Sequence, residues 1–407
     1  MLQIIYRCKR IYHFFKTGLF NGFFAAIRYR HPEKKLKIIA ITGTDGKTTT
    51  ASLVYSLLKN ANYKVGLIST VAAYIGNQKI DTGFHVTSPS PRDLYRFMAQ
   101  MVDQNIEYLV LEITSQGAYQ WRNWGIKPII AGLTNIDREH LDYHLTYENY
   151  LQAKMLILQS SPVAVINEDQ SGYTIIKKTL SHKTKILNYS KKSRFSAELE
   201  KAIRHQLKED YNRLNAHLAI TIAKFLGCSD KQLVKGIENF SLPQGRMELV
   251  PNDLNCTMIV DFAHTPQALK AALVNIKKNY VKKETKFIGL VGCAGLRDKS
   301  KRPSMGKILA ENCDLAIFTA EDPRTENIWS IIRQMKEDIA PHHRRIISIP
   351  NREKALSYAL THYGKNGNTI AIFGKGHEQS MCYDGYHEQP WNDIAGAKKI
   401  IKKLQSC

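Results

Sequence analysis

Between residues 37 and 166, short apolar runs alternate with helix-length segments. Residues 36–41, 64–69, 108–113, 129–133 and 163–166 are β-branched or apolar runs bounded by polar turn residues, and residues 49–60 carry a helical pattern after the first run. Strands alternating with helices predict a parallel α/β sheet. The pattern breaks at Leu242-Pro243-Gln244-Gly245, and a second series follows with apolar runs at 258–261, 287–291, 315–319, 346–349 and 369–373. Several of these runs are roughly thirty residues apart, the spacing of strand–helix–strand units in a nucleotide fold.

The first thirty residues follow neither pattern. Ile4, Ile5, Phe14, Phe15, Leu19, Phe20, Phe23, Phe24 and Ile27 are interleaved with Arg7, Lys9, Arg10, Lys16, Arg28 and Arg30. The longest uncharged run, residues 17–27, is far short of the roughly 20 apolar residues that span a bilayer. No small-x-small cleavage site follows it, which argues against a signal peptide. Two readings remain open: an amphipathic helix making peripheral contact with an anionic membrane, and a helix docking on the protein's own body.

At 407 residues the chain is long enough for two domains. The expected division is a basic N-terminal segment 1–36, a domain 37–245 and a domain 246–407. Lys and Arg number 58 against 36 Asp and Glu, a net charge of +22 that predicts attraction to polyanions without choosing among nucleotides, nucleic acid and membrane. No nucleic-acid-binding signature is present, so nucleic acid is not an expected partner. The seven cysteines are scattered without a C-x-x-C pair. That speaks against a disulfide framework or structural zinc and for a reducing cytoplasm.

The first strand runs into Gly43-Thr44-Asp45-Gly46-Lys47-Thr48-Thr49-Thr50 and then a helix. Glycines let backbone N–H groups converge on phosphate oxygens, Lys47 supplies a mobile positive charge, and Thr48 a hydroxyl for Mg²⁺. The helix N-terminus adds its partial positive charge. Ile41 stands where the common phosphate-loop pattern has a glycine. Glu112 closes the run Leu109-Val110-Leu111, at the strand edge where open parallel sheets bind ligands, and a glutamate there suits Mg²⁺. After the next strand comes the polar cluster Thr134-Asn135-Ile136-Asp137-Arg138-Glu139-His140-Leu141-Asp142-Tyr143-His144. His140 and His144 have the spacing of a zinc pair, but no third ligand follows at a recognisable interval, so Mg²⁺ chemistry is the preferred reading. Lys154 follows on a predicted helix.

These segments resemble the central ATPase domain of the Mur ligases: GTDGKTTT, Glu112 with Thr114-Ser115-Gln116-Gly117, and TNIDREHLDYH followed by Ala153-Lys154. Pro243-Gln244-Gly245-Arg246-Met247-Glu248 and the segment 260–269 resemble that family's domain junction and the start of its C-terminal domain. The segment 292–303 and Gly374-Lys375-Gly376-His377-Glu378 resemble the UDP-N-acetylmuramoyl-tripeptide synthetase (MurE type) branch. The resemblance covers roughly residues 37–390. It implies a central P-loop ATPase domain with a parallel-rich sheet and a C-terminal Rossmann-like α/β domain.

It also implies roles. Gly43, Thr44, Asp45, Gly46, Lys47, Thr48 and Thr49 would bind ATP, with Asn135, Arg246, Asp261 and His264 as further nucleotide contacts. Lys47, Glu112, His140 and Lys154 would be the catalytic set. Thr48 and Glu112 would hold one Mg²⁺, and His140 with a carbamylated Lys154 a second. Thr87, Ser88, Ser115 and Arg122 would grip the nucleotide-sugar peptide. Arg297, Glu321, Asp322, Arg324, Gly374 and Glu378 would form the amino-acid pocket. Arg324 suits meso-diaminopimelate, because a guanidinium clamps a distal carboxylate through two hydrogen bonds. Gln116 replaces a histidine common in the family, and Asp322 an asparagine.

About 36 residues precede the expected ATPase domain, where the family usually has a uridine-binding domain. The resemblance therefore leaves open an acceptor that is shortened, held differently or lipid-linked, and full activity on a soluble UDP-linked peptide without liposome binding would exclude the last. The expected reaction activates a carboxylate as its acyl phosphate and joins it to an amino acid, in a monomer. The rivals are a folate-type ligase, a pseudomurein-type ligase and a nonenzymatic nucleotide-binding regulator. The folate-type loop usually reads Gly-Lys-Gly-Ser, where this chain has Gly46-Lys47-Thr48-Thr49.

Overall fold

The apolar runs form strands, most of them buried, in the computed structural model, which describes residues 2–80, 88–137, 139–180, 184–340 and 345–405. The chain divides into two units, Met1–Ser241 and Leu242–Cys407.

The first unit is built on eight strands: β1 (Lys37–Thr42), β2 (Val65–Ile68), β3 (Ala73–Ile75), β4 (Gln78–Ile80), β5 (Tyr108–Glu112), β6 (Ile130–Leu133), β7 (Val163–Asn167) and β8 (Lys185–Tyr189). Their order across the sheet is β4-β3-β2-β5-β1-β6-β7-β8. The strands from β2 to β8 in that order pair in parallel, and β3 and β4 add an antiparallel edge. Ile38, Ile39, Ala40 and Ile41 of the central strand are fully buried, as expected for a strand covered on both faces. β1 lies between β5 and β6, so the loops leaving its carboxyl end and theirs share one edge. That is where an open parallel sheet binds ligands.

The second unit carries β9 (Glu248–Leu249), β10 (Cys256–Asp261), β11 (Phe287–Val291), β12 (Leu315–Phe318), β13 (Ile346–Ser348) and β14 (Asn368–Phe373), in the order β13-β12-β11-β14-β10-β9. All pairs are parallel except β9 with β10. β14 returns between β10 and β11, which gives the doubly wound arrangement a Rossmann-like domain requires. A fully buried ion pair joins the helix Arg352–Tyr363 to the helix Asp393–Gln405. Arg352 Nη2 lies 2.6 Å from Asp393 Oδ2, and Arg352 Nε donates to Asp393 Oδ1 at 2.7 Å.

Residues 2–28 are continuously helical, with a wide π-helical middle at Phe14–Phe23, and they dock on the first unit. Tyr119 donates to the Tyr6 carbonyl, and Phe14 meets the rings of Trp121 and Trp124. Gly18 and Gly22 allow the approach: a Cβ would come within 2.7 Å and 2.5 Å of Trp124 atoms, respectively. Arg30 (φ +60°) and His31 (φ +52°) turn left-handed and end the helix before Pro32.

Candidate functional site

The loop after β1 is held from three sides. Gly43 has φ +151° and Gly46 φ +79°. A Cβ on Gly43 would come within 1.7 Å of Thr134 Oγ1, and one on Gly46 within 2.4 Å of Asn215 Oδ1, so glycine is required at both. From the end of β6, Asn135 Oδ1 accepts from Asp45 N at 3.0 Å, and Thr134 Oγ1 donates to Asp45 O at 2.6 Å. From the helix Tyr147–Gln159, Tyr150 OH lies 2.8 Å from Thr44 Oγ1, and Lys154 donates to Gly43 O. Tyr150 and Lys154 are four residues apart and therefore share a helix face. Lys47 Nζ donates to Thr44 O at 2.7 Å, while Thr48 and Thr49 are buried in the first turn of the helix Lys47–Asn60.

Glu112 leaves β5 beside this loop and is 1% exposed. Its carboxylate accepts from Thr48 Oγ1 at 3.1 Å, from Thr70 N at 2.9 Å and from Thr70 Oγ1 at 3.0 Å. These hydroxyl and carboxylate oxygens are hard donors, the set that fits Mg²⁺. Thr70 is absent from the sequence-derived candidates, as are Tyr150 and Asn215. The signal for Thr70 was its place after β2, whose carboxyl end shares the ligand edge.

Lys154 is 1% exposed, and burial followed by the Lys47 charge holds its pKa well below the usual lysine range. His140 has φ +54°, and its imidazole lies 3.6 Å from Glu139. Asp137 has a raised pKa, from burial and then from Glu139. His144, the other half of the alternative zinc pair, is engaged in hydrogen bonds at both ring nitrogens. Its Nδ1 lies 2.8 Å from Tyr6 OH and its Nε2 3.1 Å from Ser115 Oγ. Burial, then the His140 and Lys154 charges, push its pKa down to about 3. Among the described residues no group of three or more His, Cys, Asp or Glu is arranged for a metal.

A small cleft is lined by Glu112, Ser88, Gly117 and Arg122. Arg122 Nη1 donates to Ser88 O at 2.7 Å, and Ser88 Oγ lies 3.1 Å from Thr114 Oγ1. The structure thus brings Ser88 and Arg122 to the same cleft as Glu112. Thr87 lies outside the described residues.

The other predicted residues lie in the second unit, at or after the carboxyl ends of its parallel strands, except Arg246, which precedes β9. After β10, Asp261 accepts from Met247 N at 2.7 Å and from Ala263 N at 2.8 Å. Arg246 stacks 4.3 Å over the Phe262 ring, which also meets the His264 and His377 rings. The loops after β11 and β12 are locked together. Gly295 N donates to Asp322 O at 3.0 Å, Arg324 donates to Gly295 O, and Leu296, Asp322 and Arg324 have φ of +55°, +38° and +52°. Left-handed non-glycine residues gathered in one place mark a site over-determined by its surroundings.

Arg297 is exposed. Glu321 carries a buried oxygen, Oε2, with no hydrogen-bond partner, and burial raises its pKa. Gly374, at φ +106°, would place a Cβ 2.5 Å from that oxygen. Asp322 is committed elsewhere: Lys375 Nζ, fully buried, lies 2.9 Å from Asp322 Oδ1 and 2.6 Å from Glu378 Oε2. The Asp322 charge is therefore paired inside the protein, on a lysine it shares with Glu378.

Residues 41–226 match the Mur ligase middle domain, and residues 245–376 match the Mur ligase glutamate ligase domain. The UDP-N-acetylmuramoyl-L-alanyl-D-glutamate–2,6-diaminopimelate ligase of Clostridium botulinum is 36% identical over 370 residues, covering 86% of this chain and 75% of that one. The ligase of the same name from Bacteroides thetaiotaomicron is 33% identical over 94% of this chain and 81% of its own. A solved structure of such a diaminopimelate ligase superposes with a TM-score of 0.59 at 27% identity, covering 94% of this chain and 82% of that one. The folylpolyglutamate synthase of Mycobacterium tuberculosis shares the fold, with a TM-score of 0.69 at 17% identity over 94% of this chain and 95% of its own. The phosphate loop, the glutamate at the neighbouring strand end and the two matched domains together make this chain a member of the Mur ligase family.

Proposed function

We propose that the chain is an ATP-dependent ligase that adds meso-diaminopimelate to UDP-N-acetylmuramoyl-L-alanyl-D-glutamate in making a peptidoglycan precursor. The observation that carries this reading is the phosphate loop beside Glu112 in a chain 36% identical to a diaminopimelate ligase over most of its length.

A carboxylate reacts poorly with amines because oxide is its leaving group. One carboxylate oxygen of the acceptor attacks the γ-phosphorus of ATP, ADP leaves, and an acyl phosphate forms. The neutral amine then adds to the acyl carbon, and the tetrahedral intermediate expels phosphate to leave an amide. Lys47 moves from the Thr44 carbonyl to the phosphates, and the loop's N–H groups hold their oxygens. Glu112 and the Thr48 hydroxyl would hold Mg²⁺, which supplies charge neutralisation for the phosphoryl transfer. Ser88, Arg122 and Ser115 orient the acceptor, with Arg122 fixed on the Ser88 carbonyl.

A second cation at His140 needs an oxygen donor from Lys154. An amine held neutral by burial can add CO₂ and lose a proton to become a carbamate, which provides one. In the second unit, Arg246, Phe262 and His264 offer flat cationic and aromatic faces for a nucleotide, and Asp261 holds their loop. Arg297 and Arg324 suit the amino acid's carboxylates. The unpartnered oxygen of Glu321, beside Gly374, suits an ammonium, with Glu378 held in place by Lys375. The scattered cysteines, without a C-x-x-C pair, suit a reducing cytoplasm, and the proposed enzyme acts there as a monomer.

The test is isotopic. An acceptor labelled with ¹⁸O in its carboxylate transfers one labelled oxygen to the released phosphate, whereas unlabelled phosphate would refute the acyl-phosphate route.

A further inference from the structure

The N-terminal helical segment is amphipathic in an inverted sense. Its small residues Gly18, Gly22, Ala25 and Ala26 are buried against the first unit, while Phe20 and Phe24 are 58% and 59% exposed. Of the seventeen large hydrophobic side chains exposed among the described residues, nine lie between Ile4 and Ile27. An apolar patch of that density marks an interaction surface rather than scattered exposure.

Charge identifies the partner. Arg7, Lys9, Lys16, Arg28 and Arg30 are exposed along the same segment, and residues 1–32 contain no Asp or Glu. Two copies meeting through this face would bring like charges together, which opposes association. An anionic phospholipid surface answers both features at once, since it takes aromatic side chains at the acyl boundary and Lys or Arg at the headgroups. Among the described residues no helix is long and apolar enough to cross a membrane, so the segment would lie in the plane. We propose that the outward face of residues 4–30, centred on Phe20, Phe24 and Ile27, is a docking surface for anionic lipid. Its inner side bears Tyr6, which shares His144 with Ser115, so docking fixes the orientation of this part of the first unit relative to the lipid.

The experiment is co-sedimentation of the full chain with vesicles of phosphatidylglycerol and phosphatidylcholine, against vesicles of phosphatidylcholine alone. Binding is expected to the anionic vesicles and to weaken as salt is raised. Phe20→Ser with Phe24→Ser should lower the partition roughly tenfold or more, with the melting temperature as a control on folding. A second variant, Lys9→Glu with Arg28→Glu, keeps the apolar side chains and should abolish the preference for phosphatidylglycerol. No binding to anionic vesicles, or binding indifferent to both variants, overturns the proposal. A dimer in light scattering that the Phe20 and Phe24 changes dissociate also overturns it, in favour of self-association.

Discussion

Replacing Glu112 by glutamine separates stability from catalysis. The carboxylate is 1% exposed and, among the described residues, accepts hydrogen bonds only from Thr48 and Thr70, at 2.9–3.1 Å. A glutamine can keep the pattern. Its amide oxygen accepts from the Thr70 N–H, and its NH₂ group donates to the Thr70 or Thr48 hydroxyl, either of which can rotate to accept. Each retained bond weakens from about 1.5–3 kcal/mol for a charged partner to about 0.5–1.5 kcal/mol for a neutral one. The desolvation penalty of the buried charge, several kcal/mol, is removed at the same time and offsets that loss. The metal-free melting temperature should therefore move by no more than about 4 °C. Catalysis loses the carboxylate that would hold Mg²⁺. A cation stabilises charge in the transition state by several kcal/mol, and a loss of roughly 3 kcal/mol slows turnover more than about a hundredfold. Phosphate release over a Mg²⁺ titration, with thermal melting in EDTA, measures both. Activity within about threefold of the parent at saturating Mg²⁺ would refute the assignment of Glu112. A melting temperature lowered by more than about 8 °C would refute the claim that the amide preserves the local structure.

Three other outcomes follow from buried groups. Lys375→Met strands the Asp322 and Glu378 carboxylates and should destabilise the second unit by about 3–5 kcal/mol in urea unfolding; a loss under about 1 kcal/mol would mean the triad is not closed. His144 is neutral when folded, with a pKa of about 3, but the unfolded chain protonates it near 6.5. Acid therefore favours the unfolded state, and stability falls by about 1.4 kcal/mol per pH unit from pH 6.5 down towards 3. His144→Gln should show a shallower slope over that range, and equal slopes would contradict the burial of a neutral imidazole. Lys154, if carbamylated, should give a ¹³C carbamate resonance in labelled bicarbonate that Lys154→Arg lacks; the same signal in both would place the carbamate elsewhere.

The inner strands of both sheets were legible because buried parallel strands read as continuous apolar runs, and β11 spans the residues expected of it. The edge strands β3, β4, β8 and β9 were not: β3 and β9 are only three and two residues long, and β4 and β8 expose Gln78, Lys79, Lys185 and Asn188. The phosphate loop was legible because Gly43 and Gly46 are required by contacts that any side chain would block. Thr70 and Asn215 were not, because a threonine after a strand and an asparagine within a helix look ordinary until Glu112 and Gly46 are seen against them. Asp322 stood out by its motif, but its pairing did not. Its partner Lys375 is 53 positions away, and only the fold brings the two together.

The central claim is the reaction itself, and phosphate release from ATP and Mg²⁺ with UDP-N-acetylmuramoyl-L-alanyl-D-glutamate tests it most directly, comparing meso-diaminopimelate, lysine and no amino acid. Release that depends on diaminopimelate, with lysine near background, is the predicted result. Release that is equal with lysine would contradict the role given to Arg324, and no release with any amino acid would contradict the assignment of this acceptor.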